Sequence, residues 1–407
     1  MLLTGFSATS LGKGSGEQVI ATFHGFAVRE AAECGDDVSM DSRADELIEG
    51  PRGRRMLYEL ASLADDHLSS FAWDVERSFD NSGSAVFVSW GPASGEHERR
   101  PERAEEVGEI AARIAGRSGR DVVDEERIVV ALADSVGWAR AWQEPDGTDM
   151  MLEDPAFVSA LRPLAERVAR MPEVEWWWHP VAQHQTVTRF SYADPETRVQ
   201  QPPPVPEPSG TAAQLARWRQ ESRETEQQFV DHAANYPGTP LSGDWWALAQ
   251  YTGVWSTPSL GARGPAALHF VEDGGGERLA RVWDGRPHDG ARVLEITGPD
   301  DWADLCRRHP FDVTESRRHV WGLATGRQGR WVIPDWPAVA AEWDAVHLTV
   351  AGYLRTAERA VPVDGETATV LAGWDPAAAV WFGEAIELDA TFTEWRRDDE
   401  AWTRVAG

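Results

Sequence analysis

Lysine is almost absent from this chain of 407 residues: Lys13 stands alone, and every other side-chain cation except histidine is arginine. We read that bias as coding composition rather than function. Positive charge is scarce as a whole, because 39 Lys and Arg face 67 Asp and Glu and leave a formal net charge of −28. A field of that sign repels polyanions, so nucleic acid and anionic membrane are excluded as general partners and cationic or neutral ones are favoured. Cysteine is equally sparse, and Cys34 and Cys306 lie far apart with no Cys-x-x-Cys spacing. A disulfide scaffold and a structural zinc site are therefore not expected, and a reducing cytoplasm fits. No apolar run approaches the ~18 residues of a membrane span, and the start Met1-Leu2-Leu3-Thr4-Gly5-Phe6 has neither a basic opening nor a sustained apolar core. We expect no targeting segment and no membrane.

What is present in excess is tryptophan, 21 residues of it. Indoles bring large apolar area and an N–H that needs a partner, so most should fill cores while some wall grooves. With 42% hydrophobic residues the chain is long enough for two or three cores.

Periodicity predicts an α+β protein of two mixed domains, the first helix-rich with β-hairpins and the second richer in strands. The boundary is the proline-rich stretch 201–210, a polyproline-type spacer between a domain over 1–200 and one over 236–407. A polar helix over 211–235 follows it. Thr211 and Gln214 have the offset of a capping box, and with few apolar residues beyond Leu215, Trp218 and Phe229 this helix should lie on the surface or bridge the halves.

Before the spacer, Leu57, Leu60, Ala61, Ala64 and Leu68 predict an amphipathic helix running to about His67. A β-hairpin over 71–90 and helices opening at Pro101, Asp124 and Asp154-Pro155 come next. Glu175-Trp176-Trp177-Trp178-His179-Pro180 reads as the first of a strand pair completed by Thr186–Phe190. A fainter copy of that pattern, Val254–Pro258 followed by Ala266–Phe270, is compatible with an old duplication and with chance. After the spacer, extended segments are expected over 278–283, 292–296, 346–350, 369–371 and 380–382, with short helices from Pro299 and Asp335.

The strongest chemical feature is Glu49-Gly50-Pro51-Arg52-Gly53-Arg54-Arg55 at the mouth of the first helix. Glycines at 50 and 53 would let backbone approach a ligand, and the forks of Arg52, Arg54 and Arg55 match sulfate, phosphate or carboxylate oxygens. The competing reading is that these arginines neutralise Asp45, Glu46 and Glu49. Arg317-Arg318-His319 is a second basic patch open to the same two readings. Asp65-Asp66-His67, near the end of the helix, places carboxylates beside an imidazole and supplies candidate proton acceptors. Trp73 and Trp177 are candidate pocket walls. His179 and His184, five apart on an extended segment, face opposite ways and make no metal pair. His347, inside an apolar strand, reads as a satisfied core histidine. No cofactor fingerprint is present.

Glu49–Arg55 together with Ala139–Gly147 resembles segments of actinobacterial proteins that have no assigned activity. Some of these are similar to components of specialised-metabolite biosynthesis, including azabicycle synthases. That resemblance implies a cytoplasmic, cofactor-free enzyme that closes an aziridine by expelling sulfate from an amine-bearing substrate. Trp255-Ser256-Thr257-Pro258 and Glu384-Ala385-Ile386-Glu387 separately resemble two elements of ADP-ribosyltransferases, with Pro258 where a third hydroxyl belongs and two residues rather than one between the glutamates. A third expectation is an interaction protein that presents Trp-rich grooves to a partner subunit.

Overall fold

The computed structural model describes residues 40–65, 68, 103–116, 123–191, 206, 209–249, 253–274, 277–398 and 401–405. The hairpin expected over 71–90, most of the proline-rich spacer, and Asp66, His67 and Trp73 lie outside them. The fold is α+β, helix-rich before the spacer and strand-rich after it.

Helices α1 (Met40–Glu49) and α2 (Pro51–Ser62) are broken only at Gly50. The arginine stretch is therefore the first two turns of α2, not a loop before it, because Pro51 fits the first helical position where its missing N–H costs nothing. Glycine is needed here for backbone packing. A Cβ on Gly53 would lie 2.0 Å from the Leu47 carbonyl oxygen, and one on Gly50 would lie 2.2 Å from that of Leu354. The expected approach of a ligand to these glycines is replaced by the approach of neighbouring backbone.

Helices α3 (Arg103–Ala115), α4 (Glu125–Gly137), the short α5 (Gly147–Met151) and α6 (Pro155–Ala169) complete the helical part. Asp124, Asp146 and Asp154 cap the last three, each accepting a backbone N–H of the first turn. In α6 the apolar positions Phe157, Leu161, Leu164 and Val168 are wholly buried, as their spacing predicts.

Glu175–Trp178, in the stretch expected as a strand over Glu175–Pro180, belongs to a 3₁₀ helix, Pro172–Trp178. Its two buried residues, Val174 and Trp177, stand three apart, which one face of a three-residue turn satisfies and a two-residue strand repeat does not. Ala266–Leu268 is likewise a 3₁₀ turn rather than a strand. The two copies of the pattern thus differ in conformation: the first is a 3₁₀ helix followed by a strand, the second a short strand followed by a 3₁₀ turn.

Helix α7 (Thr211–Asn235) matches its expected span, but Thr211, expected as its N-cap, is its first helical residue. Gly210 caps it in a left-handed conformation with no side-chain bond. Only Thr211, Leu215 and Trp218 are buried. Later helices are α8 (Pro299–Arg308), α9 (Thr314–Thr325), α10 (Trp336–Glu342) and α11 (Val350–Thr356). Neither α9 nor α11 was legible in the periodicity; Arg317-Arg318-His319 is part of α9, and Arg317 is buried against the Trp246 carbonyl.

The strands form three four-stranded sheets. The first is antiparallel and joins β1 (Gln185–Ser191), β3 (Leu279–Pro287), β11 (Ile386–Asp398) and β12 (Ala401–Arg404) in the order β1-β3-β11-β12. The second runs β2 (Val254–Ser256), β10 (Ala379–Trp381), β7 (Ala345–Leu348), β4 (Val293–Ile296), with β4 and β7 parallel. The third contains β5 (Pro310–Asp312), β6 (Arg330–Pro334), β9 (Thr367–Thr369) and β8 (Val361–Pro362).

One hydrophobic cluster reaches from Ala44 in α1 to Val380 in β10, and β1 pairs with β3 across the spacer. The described residues of the two expected domains therefore share a core and a sheet. Tryptophan supplies much of that core: Trp302, Trp336 and Trp374 meet with ring centres 5.9–6.4 Å apart. Indole N–H groups find backbone carbonyls, Trp336 that of Ala247 and Trp374 that of Ala378, both at 3.0 Å.

Candidate functional site

Two cavities of similar size lie within this core architecture, and they divide the residues that the sequence brings to notice.

The arginine stretch borders one of them, about 550 Å³ in volume. Arg52, wholly buried, forms ion pairs with Asp149 and, at 2.9 Å, with Glu358, and donates to the Ser135 carbonyl at 2.9 Å. Arg55 donates to Glu59 at 2.6 Å and contacts Asp146 and Asp149 at 3.0 and 3.3 Å. Both guanidinium groups thus face carboxylates brought in by α5 and by the turn after α11. Those are not the acids expected from the sequence: Asp45 pairs with Arg162, Glu46 accepts the Trp178 indole N–H, and Glu49 holds Arg355 and Arg359. Arg54 differs. Its Nη1 donates to the carbonyls of Ile48 and Glu49 at the end of α1, and among the described residues no carboxylate contacts it.

Burial leaves its mark on these groups. Asp149 is pulled upward by desolvation, but Arg52 and Arg55 outweigh it and its pKa is lowered. Glu358 is pushed up to about 7 by burial and by the Asp149 charge, with Arg52 opposing. Behind it, burial raises Glu272 well above the usual carboxylate range and Asp375 to about 7.

Asp65 is buried elsewhere, beside Arg113 at 3.4 Å. The structure does not bring it to the arginines. Trp177 lines the other cavity, so the expected combination of arginine fork, Asp65 base and Trp177 wall is split over separate places.

That second cavity encloses about 570 Å³. Ile128, Val129 and Leu132 of α4 form one wall, Trp176 and Trp177 of the 3₁₀ helix another, and Leu260 and Phe270 a third. Trp177 is aimed inward because its neighbour Trp178 is held outward, donating to Glu46 at 2.6 Å with Arg43 stacked 4.7 Å from its ring centre. Polar groups come from the ends of strands: His347 lies in the last half of β7, Thr349 follows that strand, and Gln185 opens β1. Gln185 is fixed by its own bonds, Nε2 to the Ala182 carbonyl and Oε1 from the Ser256 hydroxyl, which in turn accepts the Trp381 indole N–H. Ser256, one of the residues behind the ADP-ribosyltransferase resemblance, is thus a buried strut rather than a lining residue.

His347 is the residue for which the local fold does most. Side chains alternate along β7, so Val346 and Leu348 enter the main core while Ala345 and His347 point the other way. Parallel pairing puts Glu295 of β4 directly beside it. Glu295 Oε2 lies 2.5 Å from His347 Nδ1, and Oε1 accepts the Val181 backbone N–H at 2.9 Å. A carboxylate so placed selects the tautomer with hydrogen on Nδ1. Nε2 is then the ring nitrogen left to the cavity that His347 lines. An imidazole oriented by a carboxylate, at the wall of an apolar cavity, can take a proton from a bound group and be stabilised as imidazolium while it holds it.

Sequence reading assigned His347 to the core and did not single out Glu295. The one available signal was a polar residue at the third place of each of two short apolar runs, Val293-Leu294-Glu295-Ile296 and Ala345-Val346-His347-Leu348. Which strands pair, and in what register, is a tertiary fact that no local pattern states. Among the described residues no group of three or more His, Cys, Asp and Glu is arranged to hold a metal ion, and no helix is long and apolar enough to cross a membrane. Compared with known proteins, the chain matches no protein-family model, no curated protein and no solved structure.

Proposed function

We propose that the protein is an enzyme acting on a small, largely apolar molecule that carries an amine or hydroxyl, and that the Trp177-walled cavity is its active site. The observation that supports this is the Glu295–His347 pair, with Nδ1 engaged and His347 at the cavity wall. In this reading Nε2 accepts the proton of an attacking amine, hydroxyl or water, and Glu295 offsets the positive charge that forms on the ring. Trp176, Trp177 and Phe270 bind the apolar body and exclude water, which strengthens the electrostatic contribution of the pair. On the lining Glu125 is paired with Arg263 at 2.7 Å, which leaves Glu173, and with it the acidic protein as a whole, to favour a neutral or cationic substrate over an anionic one. The base of the reading is therefore His347 in place of Asp65. Placement in specialised metabolism on an amine-bearing substrate stays compatible with this cavity, and rests on the sequence resemblance.

The test is a turnover screen by mass spectrometry against aromatic and alicyclic amines, alcohols and their esters, run in parallel with thermal shift. A native-state ligand raises the melting temperature by mass action. We expect a compound that stabilises the protein and is converted, and that His347→Asn still binds but no longer converts. Conversion unchanged in a folded His347→Asn, or tight binding without conversion by the unaltered protein, would refute the catalytic role.

A further inference from the structure

The arginine-bordered cavity does not overlap the proposed active site in its lining, and its charges can be accounted for pair by pair. Arg52 is matched by Asp149 and Glu358, Asp146 by Arg55, and Arg359 by Glu49; Arg140 lies 3.7 Å from Asp273. Three lining charges are left without a close ion pair among the described residues: the guanidinium of Arg54, whose charge is favoured at longer range by Glu153 and Asp149, and the carboxylates of Glu144 and Glu153. Arg54 is half-buried, and with Nη1 spent on two carbonyls its buried Nε and its Nη2 have no acceptor among the described residues. A desolvated cation with a free edge is costly unless something anionic meets it.

The remaining features set what that anion must carry. Glu144 and Glu153 stand exposed on the same lining, and the last turn of α9, Gly322 to Thr325, ends against the cavity with the negative end of its dipole. A bare anion would be repelled by these groups, and a bare cation by Arg54. Thus we propose that this cavity binds a small zwitterion, its carboxylate or other oxyanion on Arg54 and its ammonium toward Glu144, Glu153 and the end of α9. The site is separate from the proposed chemistry and independent of it.

The test is calorimetry on the full chain with glycine, 4-aminobutyrate and 6-aminohexanoate, beside butyrate, butylamine and inorganic phosphate as single-charge controls. At least one amino acid of this series should bind ten or more times tighter than both singly charged controls. Arg54→Gln should weaken that amino acid at least tenfold, and Glu153→Gln, an exposed change that spares the fold, should weaken it while improving the affinity for butyrate. His347→Asn should leave it unchanged. Equal binding of butyrate or phosphate and the amino acids would overturn the proposal, as would affinity that survives both Arg54→Gln and Glu153→Gln. Loss of binding in His347→Asn would overturn it by moving the ligand to the other cavity. No binding by any amino acid of the series, with the protein folded, also counts against it.

Discussion

The two cavities are nearly equal in volume and opposite in chemistry. Around α2, two of the three arginines, Arg52 and Arg55, meet Glu59, Asp146, Asp149 and Glu358, and spend their charge on holding α2, α5 and the turn after α11 together. At the ends of β4 and β7 a single imidazole meets a single carboxylate, and the rest of the lining is mostly apolar. Charge density is thus a poor guide to chemistry in this molecule. A buried arginine saturated by acids is a structural device, whereas one ionisable pair with a free edge on an apolar cavity can work on a substrate.

The comparison is broken most sharply by removing one member from each region. Arg52→Ala leaves Glu358 buried without its cation and Asp149 with Arg55 alone, and we expect a loss of about 3–5 kcal/mol of stability by denaturant unfolding. His347→Asn should leave stability near that of the unaltered protein and lower turnover by about 10²–10⁴-fold, the usual contribution of a positioned general base. If the reverse pattern were measured, the roles assigned to the two regions would have to be exchanged.

A smaller effect separates arginines within the same helix. Arg54 has no carboxylate contact among the described residues, so Arg54→Gln should cost no more than about 1–2 kcal/mol, from its bonds to the Ile48 and Glu49 carbonyls, and well under the cost at Arg52. Equal losses at the two positions would mean that Glu153 and Asp149, which favour the Arg54 charge at longer range, hold it as firmly as Asp149 and Glu358 hold Arg52.

The pH dependence is expected to be of about 1 kcal/mol for each group concerned. Glu358 and Asp375 have folded pKa values of about 7, above their ordinary values, so the folded chain holds more protons than the unfolded one between the two. Stability from these groups is complete below pH ~4 and is lost as pH rises through about 7. Melting should therefore be higher at pH 6 than at pH 8 by roughly 1 kcal/mol per group, and Glu358→Gln should remove its part of the slope. A melting temperature that rises from pH 6 to pH 8 would contradict this.

The difference between the regions also explains what was legible in the sequence. Helix α6 announced itself through Asp154, Pro155 and four apolar residues at helical spacing, all local signals. The arginine stretch was equally visible, but its meaning was not. Its partners Asp146, Asp149 and Glu358 are 91 to more than 300 positions away, and no local pattern distinguishes a guanidinium that meets a ligand from one that meets the protein. Trp177, read from the sequence as a pocket wall on a strand, lies on a 3₁₀ helix and borders a cavity. His347 and Glu295 were hidden for the opposite reason. Each is one polar residue in an apolar strand, and only the parallel register of β4 on β7 makes them a pair.

Long-range ¹H–¹⁵N correlation spectroscopy of the histidine rings, with the His347 signals assigned by their absence in His347→Gln, tests the central claim most directly. At a pH where the ring is neutral, we predict hydrogen on Nδ1 and a lone pair on Nε2, with that preference weakened in Glu295→Gln. Hydrogen on Nε2 in the unaltered protein would leave no acceptor facing the cavity and would contradict the assignment of His347 as its base.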